Sequence, residues 1–227
     1  MITVPSGGAV EALRRSADED WAAAVGHRFV EELFAGTVPD EVMATYLIQD
    51  YQFFEDFLAM LGACVAHADR IEAKLRFARQ LGFLEADEDS YFIRAFAEVG
   101  VGPADYAGPV LLAPTAGFRD VMKGAVASAS YPDLLVVLVI AEWLYLDWGE
   151  LERDMPTRDV HVGWIDLHRG KDFAAWVQFL VDELERVVPR GEDAEAVAAR
   201  QRLTALWGRA VGLERAFFDE AYRSQDS

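Results

Sequence analysis

From Leu134 to Trp148 the chain reads Leu-Leu-Val-Val-Leu-Val-Ile-Ala-Glu-Trp-Leu-Tyr-Leu-Asp-Trp, and only Glu142 and Asp147 interrupt the apolar run. A helix that is apolar on every side has no face to give to water, so other elements must enclose it. The run is too short for the ~20 residues of a bilayer span and carries a charge at its middle. It therefore predicts a buried central helix with further helices packed around it.

The rest of the chain agrees with an all-α architecture. Apolar residues recur at helical spacing, no two-residue alternation of the strand type stands out, and glycines and prolines divide the chain into seven to eight helical segments. The expected spans are 10–35, 39–68, 70–84, 90–99, 116–129, 133–153, 160–187 with a break near Gly170, and 193–224. Gly36-Thr37-Val38-Pro39-Asp40-Glu41 reads as a helix stop followed by a helix start. Pro132-Asp133 and Gly191-Glu192-Asp193 are further start signals. The longest irregular stretch, 100–114, is expected to border a site. At 227 residues one core suffices, so a single helical bundle over 1–227 is expected, with 1–8 as a flexible N-terminus.

Composition narrows the function classes. A net charge of −18 without a basic patch disfavours nucleic acid and anionic membrane surfaces as partners. Cys64 is the only cysteine, which excludes an internal disulfide and fits a reducing compartment. It continues the helical stripe Phe57, Leu61, Cys64, Ala68 and is expected to be a core thiol. The N-terminus has neither a basic segment nor a signal-length apolar core, so a cytoplasmic protein is expected.

Three carboxylates stand where the pattern calls for apolar residues. Asp50 follows Met43, Tyr46 and Leu47 on one stripe, Glu214 follows Leu203, Trp207, Ala210 and Val211 on another, and Glu142 sits within the central helix. Tyr145, three residues beyond Glu142, shares its face. Burying an ion costs several kcal/mol unless it is paired, so each acid either meets an arginine across the bundle or lines a pocket. Their aromatic company suits a pocket that stacks a flat ring and bonds its edge. A carboxylate diiron centre needs histidine three residues after glutamate, yet Tyr145 and Phe217 occupy those positions, and His27, His67, His161 and His168 are scattered. No metal and no cofactor is expected. No phosphate loop, nucleophile elbow or Cys/His dyad is present in the sequence.

The blocks Trp21…His27-Arg28-Phe29-Val30…Gly36-Thr37-Val38-Pro39…Tyr46-Leu47-Ile48-Gln49-Asp50-Tyr51 resemble the N-terminal signature of the TenA/thiaminase II family. Glu142-Trp143-Leu144-Tyr145…Gly149-Glu150, Trp164-Ile165-Asp166-Leu167-His168 and Glu214-Arg215-Ala216-Phe217-Phe218 resemble later blocks in the same order. The resemblance implies a haem-oxygenase-like helical fold without haem, a central pocket for an aminopyrimidine, C–N bond hydrolysis in thiamin salvage, and self-association as a dimer or tetramer. It implies Asp50, Tyr51, Phe53 and Phe118 as substrate-binding residues, with Phe53 and Phe118 in place of two tyrosines. Glu142, Tyr145 and Glu214 are implied as catalytic. The cysteine nucleophile of the commoner branch aligns with Ala141, which places this chain in the branch without it. Three rivals remain open: a non-catalytic pyrimidine binder, a metal-dependent oxidative enzyme on the same scaffold, and an interaction protein with a filled core.

Overall fold

The computed structural model describes residues 2–84 and 89–223. Among these residues there are helices and connecting turns, with no strand. The helices are α1 (Ala9–Ser16), α2 (Asp18–Val25), α3 (Arg28–Ala35), α4 (Asp40–Tyr51), α5 (Phe54–His67), α6 (Ile71–Phe83) and α7 (Asp89–Glu98). They continue with the single turn α8 (Pro103–Tyr106), then α9 (Ala113–Ser128), α10 (Tyr131–Gly149), α11 (Asp159–Leu167), α12 (Gly170–Val187) and α13 (Ala194–Glu220).

The central helix is α10. Sixteen of its nineteen residues are buried, and it packs against α2, α5, α9, α12 and α13, which is the enclosure its apolar circumference demands. Its start is set locally: the Ser130 hydroxyl caps the helix by accepting from the Asp133 N–H, with Pro132 in the first turn. Asp193 caps α13 in the same way, accepting from the Ala196 N–H at 2.9 Å. Gly36 ends α3 in the left-handed region with φ 70°, where a side chain would be strained.

The structure breaks two expected helices. The span 10–35 is three helices, and the third begins where the His27 ring accepts from the Phe29 N–H at 3.0 Å. The span 39–68 is two, α4 and α5, interrupted at Gln52 and Phe53. The break near Gly170 separates α11 from α12, with Gly170 at φ 90°. The last expected helix, 193–224, ends at Glu220, and Ser224 lies outside the described residues. Near the N-terminus Thr3 exchanges two hydrogen bonds with the Gln178 side chain on α12. Cys64 is fully buried, and burial pushes its thiol up and out of reactive range. No helix among the described residues is long and apolar enough to cross a membrane.

Close approach at one point positions the end of α11. Gly149 ends α10 against the backbone of His168, so near that a Cβ on residue 149 would stand 2.2 Å from the His168 carbonyl oxygen. The absence of a side chain at Gly149 lets the end of α11 lie on α10.

Candidate active site

A cavity of about 430 Å³ opens between α6 and α12 and reaches α10. All three out-of-place carboxylates, Asp50, Glu142 and Glu214, line it, together with Tyr145, Phe53 and Phe118. A cavity of this size is at odds with a filled core. Asp50 comes from the last turn of α4, Glu142 and Tyr145 from one face of α10, and Glu214 from the middle of α13.

The two acids of the apolar run in α10, Glu142 and Asp147, have separate fates. Asp147 lies five residues beyond Glu142, about 140° around the helix, and accepts from the indoles of Trp21 and Trp143, each at 2.9 Å. Glu142, 7% exposed, accepts at Oε1 from the Trp176 indole on α12 at 2.8 Å. That bond fixes the Glu142 carboxyl at the cavity wall.

Glu214 is 4% exposed, and its partner is a phenol rather than a cation: the Tyr145 hydroxyl donates to Oε2 at 3.5 Å. Burial raises its carboxyl to about 8, opposed only weakly by that hydrogen bond. Glu214 is therefore protonated at neutral pH. Tyr145 meets Tyr46 at 3.1 Å, hydroxyl to hydroxyl, in a buried chain Tyr46–Tyr145–Glu214. Burial pushes both phenols well above their ordinary range, so they act as neutral hydrogen-bonding groups.

His168 also lines the cavity and packs against Tyr145 with ring centroids 4.8 Å apart and the rings tilted by 44°. Its Nδ1 lies 2.8 Å from the Trp164 carbonyl. A carbonyl only accepts, so Nδ1 carries the hydrogen and Nε2 keeps a lone pair. Burial lowers this imidazole to about 4, which makes it neutral at physiological pH.

The aromatic walls agree in part with the sequence. Phe53, at the break between α4 and α5, meets Phe118 edge-on at 5.5 Å and Phe217 at 5.2 Å. Tyr51 is a correction: one residue past Asp50 and about 100° around the helix, its ring packs with Phe54, Phe92, Phe96 and Tyr106 and does not line the cavity. The stretch 100–114 is likewise outside the lining. It is tied to α4 by Gln49, which bonds Val110 and Leu112, and by Gln52, which bonds Tyr106. Periodicity missed Trp176 and His168. Trp176 belongs to an ordinary apolar stripe of α12, whereas His168 ends the block Trp164-Ile165-Asp166-Leu167-His168 and by spacing is one of four scattered histidines. Among the described residues no three His, Cys, Asp or Glu side chains are grouped as metal ligands.

An all-helical enclosure with a carboxylate-lined cavity against a central buried helix is the architecture of the haem-oxygenase-like fold. A solved domain of that fold from Shewanella denitrificans superposes with TM-score 0.68 at 14% identity, covering 96% of this chain and 93% of that one. The chain belongs to the TENA/THI-4/PQQC family, whose signature it matches over residues 14–224. The TenA homologue of P. horikoshii superposes with TM-score 0.81 at 18% identity over 95% of this chain and 99% of that one. A TenA family transcription regulator from Silicibacter gives the same score at 26% identity, over 94% and 96%. Among proteins compared by sequence, the aminopyrimidine aminohydrolase of Bacillus subtilis is 25% identical over 85% of this chain and 81% of its own length. That of Halalkalibacterium halodurans is 21% identical over 94% and 95%.

Proposed function

We propose that this protein is a hydrolase that cleaves a C–N bond in aminopyrimidine breakdown products of thiamin, without a cysteine nucleophile. The observation that carries the reading is one cavity holding two glutamates in different settings: Glu214 kept neutral by burial, Glu142 held by an indole N–H. Paired carboxyls set apart in this way suit an acid and a base. Kinship with proteins named aminopyrimidine aminohydrolase supports the substrate class.

In this reading Asp50 accepts hydrogen bonds from the amino group and a protonated nitrogen of the ring, between the aromatic walls of Phe53 and Phe118. Water attacks the formyl carbon of a formylaminomethyl-pyrimidine while Glu142 takes its proton. The C–N bond then breaks, the nitrogen receives the proton of Glu214, and formate departs. For an aminomethyl-pyrimidine the same groups serve displacement of ammonia from the methylene carbon by water. Tyr145 holds Glu214 in place. Ala141 lines the cavity beside Glu142, so the position at which the resemblance puts a thiol offers a methyl group. Cytoplasmic location and self-association belong to the same proposal, resting on composition and kinship respectively.

The test is a turnover comparison. Purified protein is expected to release formate or ammonia from the two aminopyrimidines and to leave intact thiamin nearly untouched. Thiamin cleavage at a comparable kcat/KM would overturn the cysteine-free assignment, and tight binding of both pyrimidines without turnover would make the protein a binder.

A further inference from the structure

The mouth of the cavity carries a charge opposite to that of its base. Arg76, Arg79, Gln80 and Phe83 stand three, four and seven residues apart on α6, which puts them on one face, and all four line the cavity. Arg79 and Phe83 are exposed, as are Asp172 and Ala175 at the start of α12, so these residues mark the opening. Glu142 and Glu214 are buried at the far end.

Most arginines of this chain are taken up by carboxylates: Arg14 by Asp18, Arg119 by Asp56, Arg158 by Asp40, Arg186 by Asp69 and Arg202 by Asp133. Arg76 and Arg79 belong, with Arg94, Arg153 and Arg209, to the minority that is not, and of these they are the two that line the cavity. Among the described residues neither forms an ion pair or a side-chain hydrogen bond, and Asp172 lines the same opening without reaching either. The Arg76 guanidinium lies over the Trp176 ring, 5.9 Å from its centroid, and that indole donates to Glu142. One indole therefore separates the guanidinium from the carboxylate.

In a chain of net charge −18, two cations at a cavity mouth that pair with no acid among the described residues are matched to a ligand that brings its own. A guanidinium binds carboxylate or phosphate by paired, charge-assisted hydrogen bonds, and it gains most where no resident acid competes. The base of the same cavity, with Asp50 and Glu142, suits a nitrogenous ring that donates. The two ends thus select a ligand polar in one direction, with donors inside and negative charge outside.

We propose that the substrate of this cavity carries an anionic group on the acyl side of the scissile bond, a carboxylate or phosphate held by Arg76 and Arg79. The inference rests on the pyrimidine reading above and adds the charge of the acyl group to it. The preferred substrate is then an aminomethyl-pyrimidine whose nitrogen bears an acidic acyl chain, rather than the uncharged formyl compound.

Isothermal titration calorimetry with three compounds tests this: the formylaminomethyl-pyrimidine, the same pyrimidine N-acylated with a carboxylate-ended chain, and one whose chain ends in a phosphate monoester. The intact protein is expected to bind at least one anionic compound about tenfold more tightly than the neutral one. In the double variant Arg76→Gln, Arg79→Gln that preference disappears while affinity for the neutral compound is unchanged, which also shows that the fold survives. The double Arg→Lys variant retains part of it. Which anionic compound gains more identifies the group. Equal affinity for neutral and anionic compounds, or a preference that survives in the glutamine variant, overturns the inference and leaves the hydrolase reading standing if formate is still released. Arginine-dependent binding of an anionic pyrimidine without turnover upholds the inference and removes the hydrolase reading. Failure of all three compounds to bind overturns both.

Discussion

Glu214 shows how far a single residue can be read before its surroundings are known. Its place on an apolar stripe announces burial, but whether a buried acid is ionised depends on its partner, and that partner, Tyr145, is a phenol contributed by another helix. A phenol stabilises a carboxylate far less than an arginine does, so desolvation prevails and the group titrates at about 8. Two consequences follow with definite sign. As the acid of the proposed reaction Glu214 must be protonated, so kcat/KM is expected to fall above pH 8, and Glu214→Gln is expected to lose activity at all pH values together with that limb. A pH–rate profile checks this, and an unchanged alkaline limb in the variant would contradict it. For stability, a carboxyl whose folded pKa is raised keeps its contribution below the unfolded value of about 4.5 and loses it as pH rises to about 8. The sequence singled out Asp50, Glu142, Tyr145 and Glu214, all of which line the cavity. It could not separate Tyr51 from Asp50, because adjacent residues on a helix differ by about 100° and the family block names both.

At the level of elements, the central helix was readable because nothing but enclosure suits a helix without a polar face. The interruptions elsewhere were not. Between residues 10 and 35 the third helix begins at a histidine cap, which is outside the usual Ser, Thr, Asp and Asn signals. At Gln52 and Phe53 neither glycine nor proline marks the end of α4, although that break is what sets Asp50 in a last turn and Phe53 against Phe118. The junction of α10 and α11 offers a test. Alanine is ordinarily better than glycine in a helix by about 1 kcal/mol, so Gly149→Ala would stabilise an unhindered site. With the His168 carbonyl in the way of a Cβ, overpacking at about 1–3 kcal/mol prevails. Chemical denaturation is expected to show the variant destabilised, and a stabilised variant would contradict the close approach.

Across the whole molecule, the two helices that frame the cavity mouth are clamped away from it. Glu183 on α12 is 2% exposed and accepts from Arg70, which precedes α6, from Arg186 and from the Tyr131 hydroxyl, while Arg186 also holds Asp69 with two bonds. Burial alone would raise the Glu183 carboxyl, but Arg186, Tyr131 and Arg70 together hold it below its usual value. The stability it contributes is therefore present above the unfolded pKa and is lost as pH falls through the folded one. Glu183→Gln is expected to lose about 1–3 kcal/mol at neutral pH, less than a stranded fully buried charge, since both arginines keep access to water. Its denaturation midpoint should also depend less on acid than that of the unaltered protein, and equal acid sensitivity of the two would contradict the assignment. In the proposed mechanism the whole arrangement, with an acid-lined base, clamped helices and an arginine-bearing mouth, turns on Glu142 as the group that activates water. The most direct measurement is formate and ammonia release by Glu142→Gln beside calorimetric binding of the same pyrimidines. Binding within a few fold of the unaltered protein, with turnover abolished, is the predicted result, and full turnover by the variant would contradict the mechanism.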